Sequence, residues 1–158
     1  MPYTRPTTDL AKEGLFNIIE NNLNIGMLDT LDLFGGTGCI SYELASRGAK
    51  NVTVVEKDPI MARFIKETSK DLGFTFEVIR EDVFKFLQRC DFQYDLVFAG
   101  PPYALTTIND LPDLVFQKGL LKPKGWFILE HTPVNNYKDH VRFKSTRNYG
   151  TTVFSFFV

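Results

Sequence analysis

Two hydrophobic patterns alternate along the chain. Short apolar runs, typical of buried strands, lie within residues 27–38, 51–58, 74–82, 94–100 and 125–131. Between these runs, apolar residues recur at helical spacing, within residues 4–23, 39–48, 58–73, 82–90 and 111–119. Strands that alternate with helices predict parallel crossover connections and a doubly wound α/β sheet.

The end of the chain follows a different pattern. Residues 140–158 contain two apolar runs around a turn at residues 148–150, with no helical segment between them. We therefore expect these two strands to pair antiparallel at one edge of the sheet. In such folds, the loops after the parallel strands form the edge where a ligand binds.

Composition narrows the class of protein. A chain of 158 residues with 44% hydrophobic and 23% charged residues is typical of one globular domain, which we expect to span residues 1–158. No apolar run approaches the roughly 18 residues of a membrane helix, and the N-terminus lacks a secretory signal pattern. Cys39 and Cys90 have neither CxxC spacing nor nearby histidines, which indicates buried reduced thiols, a cytoplasmic protein and no metal site.

A glycine-rich loop follows the first predicted strand. Gly35, Gly36 and Gly38 stand between this strand and its helix, where glycines permit a tight turn and the close approach of a ligand. A dinucleotide-binding loop would have a third glycine at the position of Ser41, so a nicotinamide oxidoreductase is disfavoured. By itself the loop is compatible with a plain turn or with a cofactor site.

Acidic residues end the next two strands. Glu56 lies 21 positions beyond Gly35 (56 − 35), where a carboxylate can accept hydrogen bonds from both hydroxyls of a ribose. The alternative is a solvated residue at a strand end. Asp82 is placed to cap a helix, and its carboxylate could also receive an adenine amino group.

The fourth strand ends in Pro101, Pro102 and Tyr103. Prolines fix the backbone and cannot donate hydrogen bonds, so their carbonyls can be held toward a pocket. A tyrosine ring offers a face on which a flipped base can stack. This combination favours methylation of an exocyclic amine by positioning, whereas the alternative is a rigid strand exit with a core tyrosine.

Several stretches together resemble one family: "RPTTDLAKEGLFNII", "LDLFGGTGCISYELASRGA", "VTVVEKD", "YDLVFAGPPY" and "YGTTVFSFF". They are similar to the RsmD-type 16S ribosomal RNA guanine-N2 methyltransferases, which are class I S-adenosylmethionine-dependent enzymes. The resemblance implies a Rossmann-like, seven-stranded, mostly parallel sheet with an antiparallel last strand and helices on both faces. It also implies S-adenosylmethionine as methyl donor and, as acceptor, a guanine amine of 16S rRNA in the small subunit, with guanine 966 as the family target.

The resemblance assigns roles to individual residues. Cofactor binding is carried over to Asp32, Gly35, Gly36, Thr37, Gly38, Glu56, Lys57, Asp82 and Val83. The target-base site is carried over to Gly100, Pro101, Pro102 and Tyr103. RNA contact is expected at Arg5, Thr7, Arg142 and Arg147, of which Arg5 and Thr7 match a family segment near the mouth of the active site.

One departure from the family lies before the two prolines. The family usually has Asp or Asn there, and this chain has Gly100. A backbone carbonyl of Gly100 or Pro101 could still hold the amine, so we expect reduced activity, with a loss on the order of 2–4 kcal/mol of transition-state stabilisation. On this hypothesis Gly100→Asp raises turnover.

The second departure is the missing basic arm that usually precedes "RPT"; either the sequence is a shortened form or the arm is absent in nature. Such an arm would contact phosphates, which dominate nucleic-acid affinity, and its absence fits the net charge of −1. The remaining cationic candidates for RNA contact are Arg5, Lys12, Lys122, Lys124, Arg142, Lys144 and Arg147, each of which is otherwise a solvated surface charge.

Other functions remain as alternatives. The intact Glu56 and Pro-Pro-Tyr favour an enzyme, whereas Gly100 favours a non-catalytic protein that binds S-adenosylmethionine or RNA. A small-molecule methyltransferase would need a lid over the pocket, for which 158 residues leave little room. A hydrolase lacks its nucleophile motif. Glu130 and His131, at the end of the fifth strand, could line the rim of the site, although we favour a structural role. We expect a monomer.

Overall fold

The computed structural model describes residues 7–158. Its five α-helices are α1 (Asp9–Asn22), α2 (Cys39–Ser46), α3 (Pro59–Asp71), α4 (Val83–Arg89) and α5 (Leu111–Gln117). Its seven strands are β1 (Asp29–Leu33), β2 (Asn51–Val55), β3 (Phe76–Ile79), β4 (Tyr94–Ala99), β5 (Leu121–His131), β6 (Phe143–Tyr149) and β7 (Thr152–Phe157).

The strands form one sheet in the order β3-β2-β1-β4-β5-β7-β6. The first five pair in parallel, β7 pairs antiparallel to β5, and β6 pairs antiparallel to β7. The predicted mostly parallel sheet with an antiparallel last strand is therefore confirmed. The last strand inserts between β5 and β6, so the closing hairpin places its first strand on the outside.

Helix starts follow the predicted caps. The Asp58 side chain accepts hydrogen bonds from the backbone N–H groups of Ile60 and Met61 at the start of α3. Asp82 accepts from Lys85 N–H at the start of α4. These bonds satisfy N–H groups that have no partner within the helix. Each cap lies three positions after the end of a strand (58 − 55 and 82 − 79), so the strand ends and the helix starts lie at the same edge of the sheet.

Two apolar cores cover the two faces of the sheet. Helices α1, α2 and α3 pack on one face, where Phe16, Ile128 and Phe154 are buried. Helices α4 and α5 pack on the other, around Phe127 and Phe157. Helices on both faces bury all five residues of β1, so its sequence shows no polar alternation. Among residues 7–158, no helix is both long and apolar enough to cross a bilayer.

Two local predictions need correction. Strand β5 begins at Leu121 rather than near residue 125, because its register against β4 shifts between Tyr94 and Leu96 and the irregular, polar start is not readable as a strand. Lys124 has a φ of 67° at this irregularity. Cys39 and Cys90 are free but only half-buried, rather than buried as expected.

Candidate active site

A cavity of about 370 Å³ opens at the carboxyl edge of the parallel strands. It lies where β1, β2, β4 and β5 end, the position expected for a ligand in this fold. Its lining brings together most of the residues named from the sequence: Thr7, Asp32, Gly35, Gly36, Thr37, Glu56, Lys57, Asp82, Val83, Gly100, Pro101, Pro102 and Tyr103. Glu130 also lines it.

The glycines of this loop are required by packing against neighbouring side chains as well as by the cavity that the loop lines. A side chain at Gly35 would collide with the methyl group of Val54 on β2. Gly38 does not line the cavity; it adopts a φ of 86°, and a Cβ there would lie 2.6 Å from the ring of Tyr42. Gly38 therefore turns the chain into α2, and Gly36, with a φ of 58°, presents its backbone to the cavity.

Glu56 is held in a fixed orientation by the backbone. Its Oε1 accepts a 2.9 Å hydrogen bond from Gly36 N–H, and its Oε2 accepts a 2.8 Å bond from Asp58 N–H. A carboxylate has about four lone-pair sites, so each oxygen can accept one more bond from a ligand. Two adjacent hydroxyls match this arrangement.

Asp32 is a buried acid in the wall of the cavity. It is 2% exposed, and its Oδ2 accepts a 2.7 Å hydrogen bond from Ser41 Oγ. Burial raises the pKa of Asp32 to about 7, and the nearby charges of Glu56 and Glu130 act in the same direction, whereas the Ser41 bond opposes them. A carboxylate in this setting gains from a cationic ligand group, which would restore its ionised form.

Ser41, which the sequence did not mark as a site residue, contacts Asp32 directly. The sequence showed it only as an interruption of the dinucleotide-binding pattern. It is fully buried on the first turn of α2, where its hydroxyl serves Asp32. Asp82 caps α4, as predicted, and it also lines the cavity; its contact with an adenine amino group stays a prediction.

The Pro-Pro-Tyr segment forms the opposite wall. Pro102 turns the chain, since its carbonyl accepts a 2.9 Å hydrogen bond from Leu105 N–H. That carbonyl is thus engaged in the turn. The Tyr103 hydroxyl donates to Glu130 Oε2 at 3.2 Å, and the Thr7 hydroxyl donates to Glu130 Oε1 at 2.8 Å. Glu130 therefore ties the segment before α1 to the loop after β4.

Glu130 and His131 have separate surroundings. Glu130 is 5% exposed, and its Oε1 lies 3.7 Å from the position that a Cβ on Gly100 would occupy. His131 is buried behind it, where Nδ1–H donates to the Thr132 carbonyl and Nε2 lies 2.6 Å from Ser155 Oγ. Burial lowers the pKa of His131. The structural role favoured for both residues fits His131, whereas Glu130 lines the cavity.

The candidate RNA-contact residues are spread widely. Arg5 lies outside the described residues. Arg147 on β6 is opposite Phe154 on β7, and Phe154 is opposite Glu130 on β5. Arg147 therefore lies on the same face of the sheet as Glu130, in the same row across the strands. Arg142 precedes β6 at the end farther from the cavity, with its guanidinium 5.1 Å from the Phe116 ring. The structure thus places Thr7 in the cavity wall and Arg147 in the same cross-strand row as Glu130. Arg142 lies away from the cavity.

Several lysines proposed for RNA have partners within the described chain. Lys122 forms ion pairs with Asp29 and Asp95 at the opposite end of the sheet. Lys12 pairs with Glu43, and the Lys144 ammonium lies 5.7 Å from the Trp126 ring. In residues 7–158, no group of three His, Cys, Asp or Glu side chains is arranged to hold a metal ion.

The cavity fits the cofactor that the sequence resemblance implies. S-adenosylmethionine carries a ribose diol, an adenine amino group and an ammonium. Glu56 could hold the diol, Asp82 the amino group, and Asp32 the ammonium. The apolar lining of Phe34, Ile40 and Val83 suits the ring systems.

Comparison with known proteins gives consistent relatives. The family model described as conserved hypothetical protein 95 matches residues 1–158. "Ribosomal RNA small subunit methyltransferase D" of Haemophilus influenzae is 33% identical over 131 residues, which are 80% of this chain and 67% of the relative. The protein of the same name from Buchnera aphidicola subsp. Baizongia pistaciae is 31% identical over 142 residues, 84% of this chain and 72% of the relative.

A solved structure has the same architecture. The crystal structure of a putative methylase from Haemophilus influenzae matches with a TM-score of 0.81 and 26% identity, covering 96% of this chain and 98% of that one.

Proposed function

The chain belongs to the family described as conserved hypothetical protein 95, that of the RsmD-type rRNA methyltransferases, and from this we propose which amine it methylates. It is an S-adenosylmethionine-dependent rRNA methyltransferase. Its acceptor is the exocyclic N2 amine of a guanine in 16S rRNA of the small subunit, with guanine 966 as the family target. We propose that it acts as a monomer in the cytoplasm.

One observation carries the proposal. A single cavity has Glu56, whose carboxylate can accept hydrogen bonds from a ribose diol, on one wall and the Pro-Pro-Tyr segment on the other. Transfer between two bound molecules needs both partners in contact, and holding them together supplies much of the rate. The placement of both sets of residues around one cavity meets that requirement.

On the cofactor side, the chain's residues bind and orient. Glu56 accepts the two ribose hydroxyls with oxygens already positioned by Gly36 and Asp58. Asp32 pairs with the ammonium group. When bound, S-adenosylmethionine supplies an activated methyl group on a sulfonium, so the protein needs no strong nucleophile or metal of its own.

On the base side, the chain positions a flipped guanine. The Tyr103 ring is fixed by its hydroxyl bond to Glu130, so its face is oriented before the base arrives. Stacking on an aromatic ring contributes about 1–3 kcal/mol per base. The rigid Pro101 and Pro102 prevent the loop from moving away when the base enters.

RNA contact is proposed at the mouth of this cavity. Thr7 is in its wall, Arg147 is level with it, and Arg5 precedes Thr7 by two positions (7 − 5). Arg142 is the weakest of the four candidates, because it lies at the farther end of β6.

The test is transfer of labelled methyl from S-adenosylmethionine to small ribosomal subunits that lack the modification. Digestion to nucleosides then identifies the product. Labelled N2-methylguanosine is the expected result. A different methylated nucleoside would contradict the guanine-N2 assignment. No transfer, with S-adenosylmethionine still bound, would favour the non-catalytic binding protein.

A further inference from the structure

We propose that Glu130 provides the acceptor oxygen for the target amine that Gly100 cannot provide. This inference rests on the proposed function of the same cavity. The residue before the two prolines carries no side chain in this protein, and the adjacent strand places a carboxylate beside the gap. An acceptor would thus reach the same place from β5 instead of β4.

The pairing of the strands explains how this is possible. Ala99 on β4 pairs in parallel with Leu129 on β5. Gly100 and Glu130 are the next residues along the chain, so they lie side by side at the point where β4 ends, while β5 continues to His131 against β7. A Cβ built on Gly100 lies 3.7 Å from Glu130 Oε1, which is van der Waals contact. The Glu130 oxygen therefore lies beside the place where the side chain of an acid at position 100 would begin.

The position of the carboxylate is held by two hydroxyl groups. Thr7 donates to Oε1 at 2.8 Å, and Tyr103 donates to Oε2 at 3.2 Å. Tyr103 is also the ring proposed to stack on the base, so the stacking surface and the acceptor are coupled through one hydrogen bond. The amine N–H would bind beside the Thr7 hydroxyl or in exchange for it.

Burial makes this oxygen effective. Glu130 is 5% exposed, and a hydrogen bond to an ionised acceptor is roughly twice as strong as one between neutral groups. Bound to one amine hydrogen, the carboxylate turns the nitrogen lone pair toward the methyl group. Preorganised acceptors of this kind act in the transition state without rearrangement.

The transfer step balances with Glu130 in this role. The amine nitrogen forms a bond to the methyl carbon while the carbon–sulfur bond breaks, and its electron pair stays on sulfur. The nitrogen then carries one proton in excess. That proton passes to the Glu130 carboxylate and from there to water.

Four proteins test the inference: wild type, Glu130→Gln, Gly100→Asp and the double variant. Each is assayed for kcat and KM with unmodified small subunits, for S-adenosylmethionine affinity by calorimetry, and for thermal stability. We expect Glu130→Gln to lower kcat about 10²–10³-fold, as for other preorganised hydrogen-bonding groups, with cofactor affinity unchanged within about twofold.

Rescue separates a direct role from a structural one. In the double variant, Asp at position 100 supplies the acceptor from β4, so kcat is expected to recover by at least about tenfold over Glu130→Gln alone. The new Cβ lies 3.1 Å from the Phe98 ring, whose edge must shift by a few tenths of an ångström. In the wild-type background, Gly100→Asp places a second carboxylate beside Glu130. There we expect no gain in kcat, which replaces the expectation drawn from the sequence.

Each contrary result has its own meaning. Undiminished kcat in Glu130→Gln overturns the inference. So does a slow, folded Glu130→Gln that Gly100→Asp does not rescue, or a gain in kcat from Gly100→Asp alone. If wild type forms no N2-methylguanosine, the proposed function itself fails, and the inference fails with it.

Two further variants protect the test. If Glu130→Gln does not fold, Glu130→Asp keeps the charge but withdraws the oxygen by one methylene; we expect a kcat at least about tenfold lower, and an unchanged kcat overturns the inference. Glu43→Gln is the matched control, since Glu43 is a half-buried, ion-paired glutamate outside the cavity lining. Its kcat is expected to equal that of wild type.

Discussion

The buried carboxylate of Asp32 accepts a 2.7 Å hydrogen bond from Ser41, the residue that stands where a dinucleotide-binding loop has its third glycine. The two residues lie nine positions apart, on β1 and on the first turn of α2. The residue that departs from the dinucleotide-binding pattern is therefore the one that orients the acid proposed to bind S-adenosylmethionine.

Asp32 makes the stability of the free protein depend on pH. Its pKa is about 7 in the folded state and about 3.8 when unperturbed. Between these values the folded protein holds a proton that the unfolded chain has released, so the free energy of unfolding falls as pH rises. Asp32→Asn, whose amide oxygen can still accept from Ser41, is expected to remove this dependence.

Denaturant unfolding at pH 4.5 and pH 8 measures the effect. The free energy of unfolding of wild type is expected to fall, relative to that of Asp32→Asn, by on the order of 2–4 kcal/mol from pH 4.5 to pH 8. Asp91 is exposed, so Asp91→Asn serves as the control and should show the same pH dependence of unfolding as wild type. Equal pH dependence in wild type and Asp32→Asn would show that Asp32 is ionised throughout.

Cofactor affinity should rise with pH for the same reason. In the proposed site, Asp32 binds the ammonium of S-adenosylmethionine only when Asp32 is ionised, so affinity is expected to increase as pH passes through about 7. Near pH 7, binding should release a proton. Calorimetry in two buffers with different ionisation enthalpies measures this release, which Asp32→Asn should abolish. Binding without proton release in wild type would contradict the pairing.

Glu56→Gln should weaken cofactor binding without unfolding the chain. Both carboxylate oxygens are oriented by backbone N–H groups, and in the proposed site each accepts one ribose hydroxyl. An amide offers only one oxygen, so one ribose hydroxyl loses its acceptor. Loss of a hydrogen bond to a charged group costs about 1.5–3 kcal/mol, which corresponds to about 10–150-fold in Kd.

The measurement is S-adenosylmethionine titration by calorimetry. Glu67→Gln, on the exposed side of α3, is the matched control and should bind like wild type. Equal affinity for Glu56→Gln would place the ribose elsewhere in the cavity.

Tyr103 should matter for RNA and not for the cofactor. Tyr103→Ala removes the stacking face, worth about 1–3 kcal/mol, so kcat/KM for small subunits is expected to fall about 5–150-fold. Tyr103→Phe keeps the ring and loses only the bond to Glu130, so its loss should be smaller. Steady-state kinetics with both variants tests this order. An equal effect of both variants would mean that the hydroxyl, and not the ring, is what the reaction uses.

Much of the site could be predicted from local patterns in the sequence. Asp58 and Asp82 mark helix starts because the capping bond is made within three residues, so it depends on no distant part of the chain. Glu56 was predicted for a similar reason: a parallel sheet aligns the ends of neighbouring strands, so a residue just after a strand faces the cavity. The rigidity of Pro101 and Pro102 belongs to the residues themselves.

The contacts between residues of different elements could not be predicted from the sequence. Glu130 meets Gly100 because β4 and β5 are neighbours in one register, and a shift at Tyr94 and Leu96 sets that register. Ser41 serves Asp32 because α2 packs back on β1. In both cases neither residue shows its partner locally, since each contact depends on how whole elements pack.

The amino-acid sequence alone determined the alternation of strands and helices, the glycine turn, the caps and the chemistry available at each strand end, because these depend on neighbours along the chain. Packing decided which groups share the cavity: it placed Arg142 away from it, inserted β7 between β5 and β6, and brought Glu130 beside Gly100. Such contacts join residues tens of positions apart, and they arise only when the two cores close on the sheet.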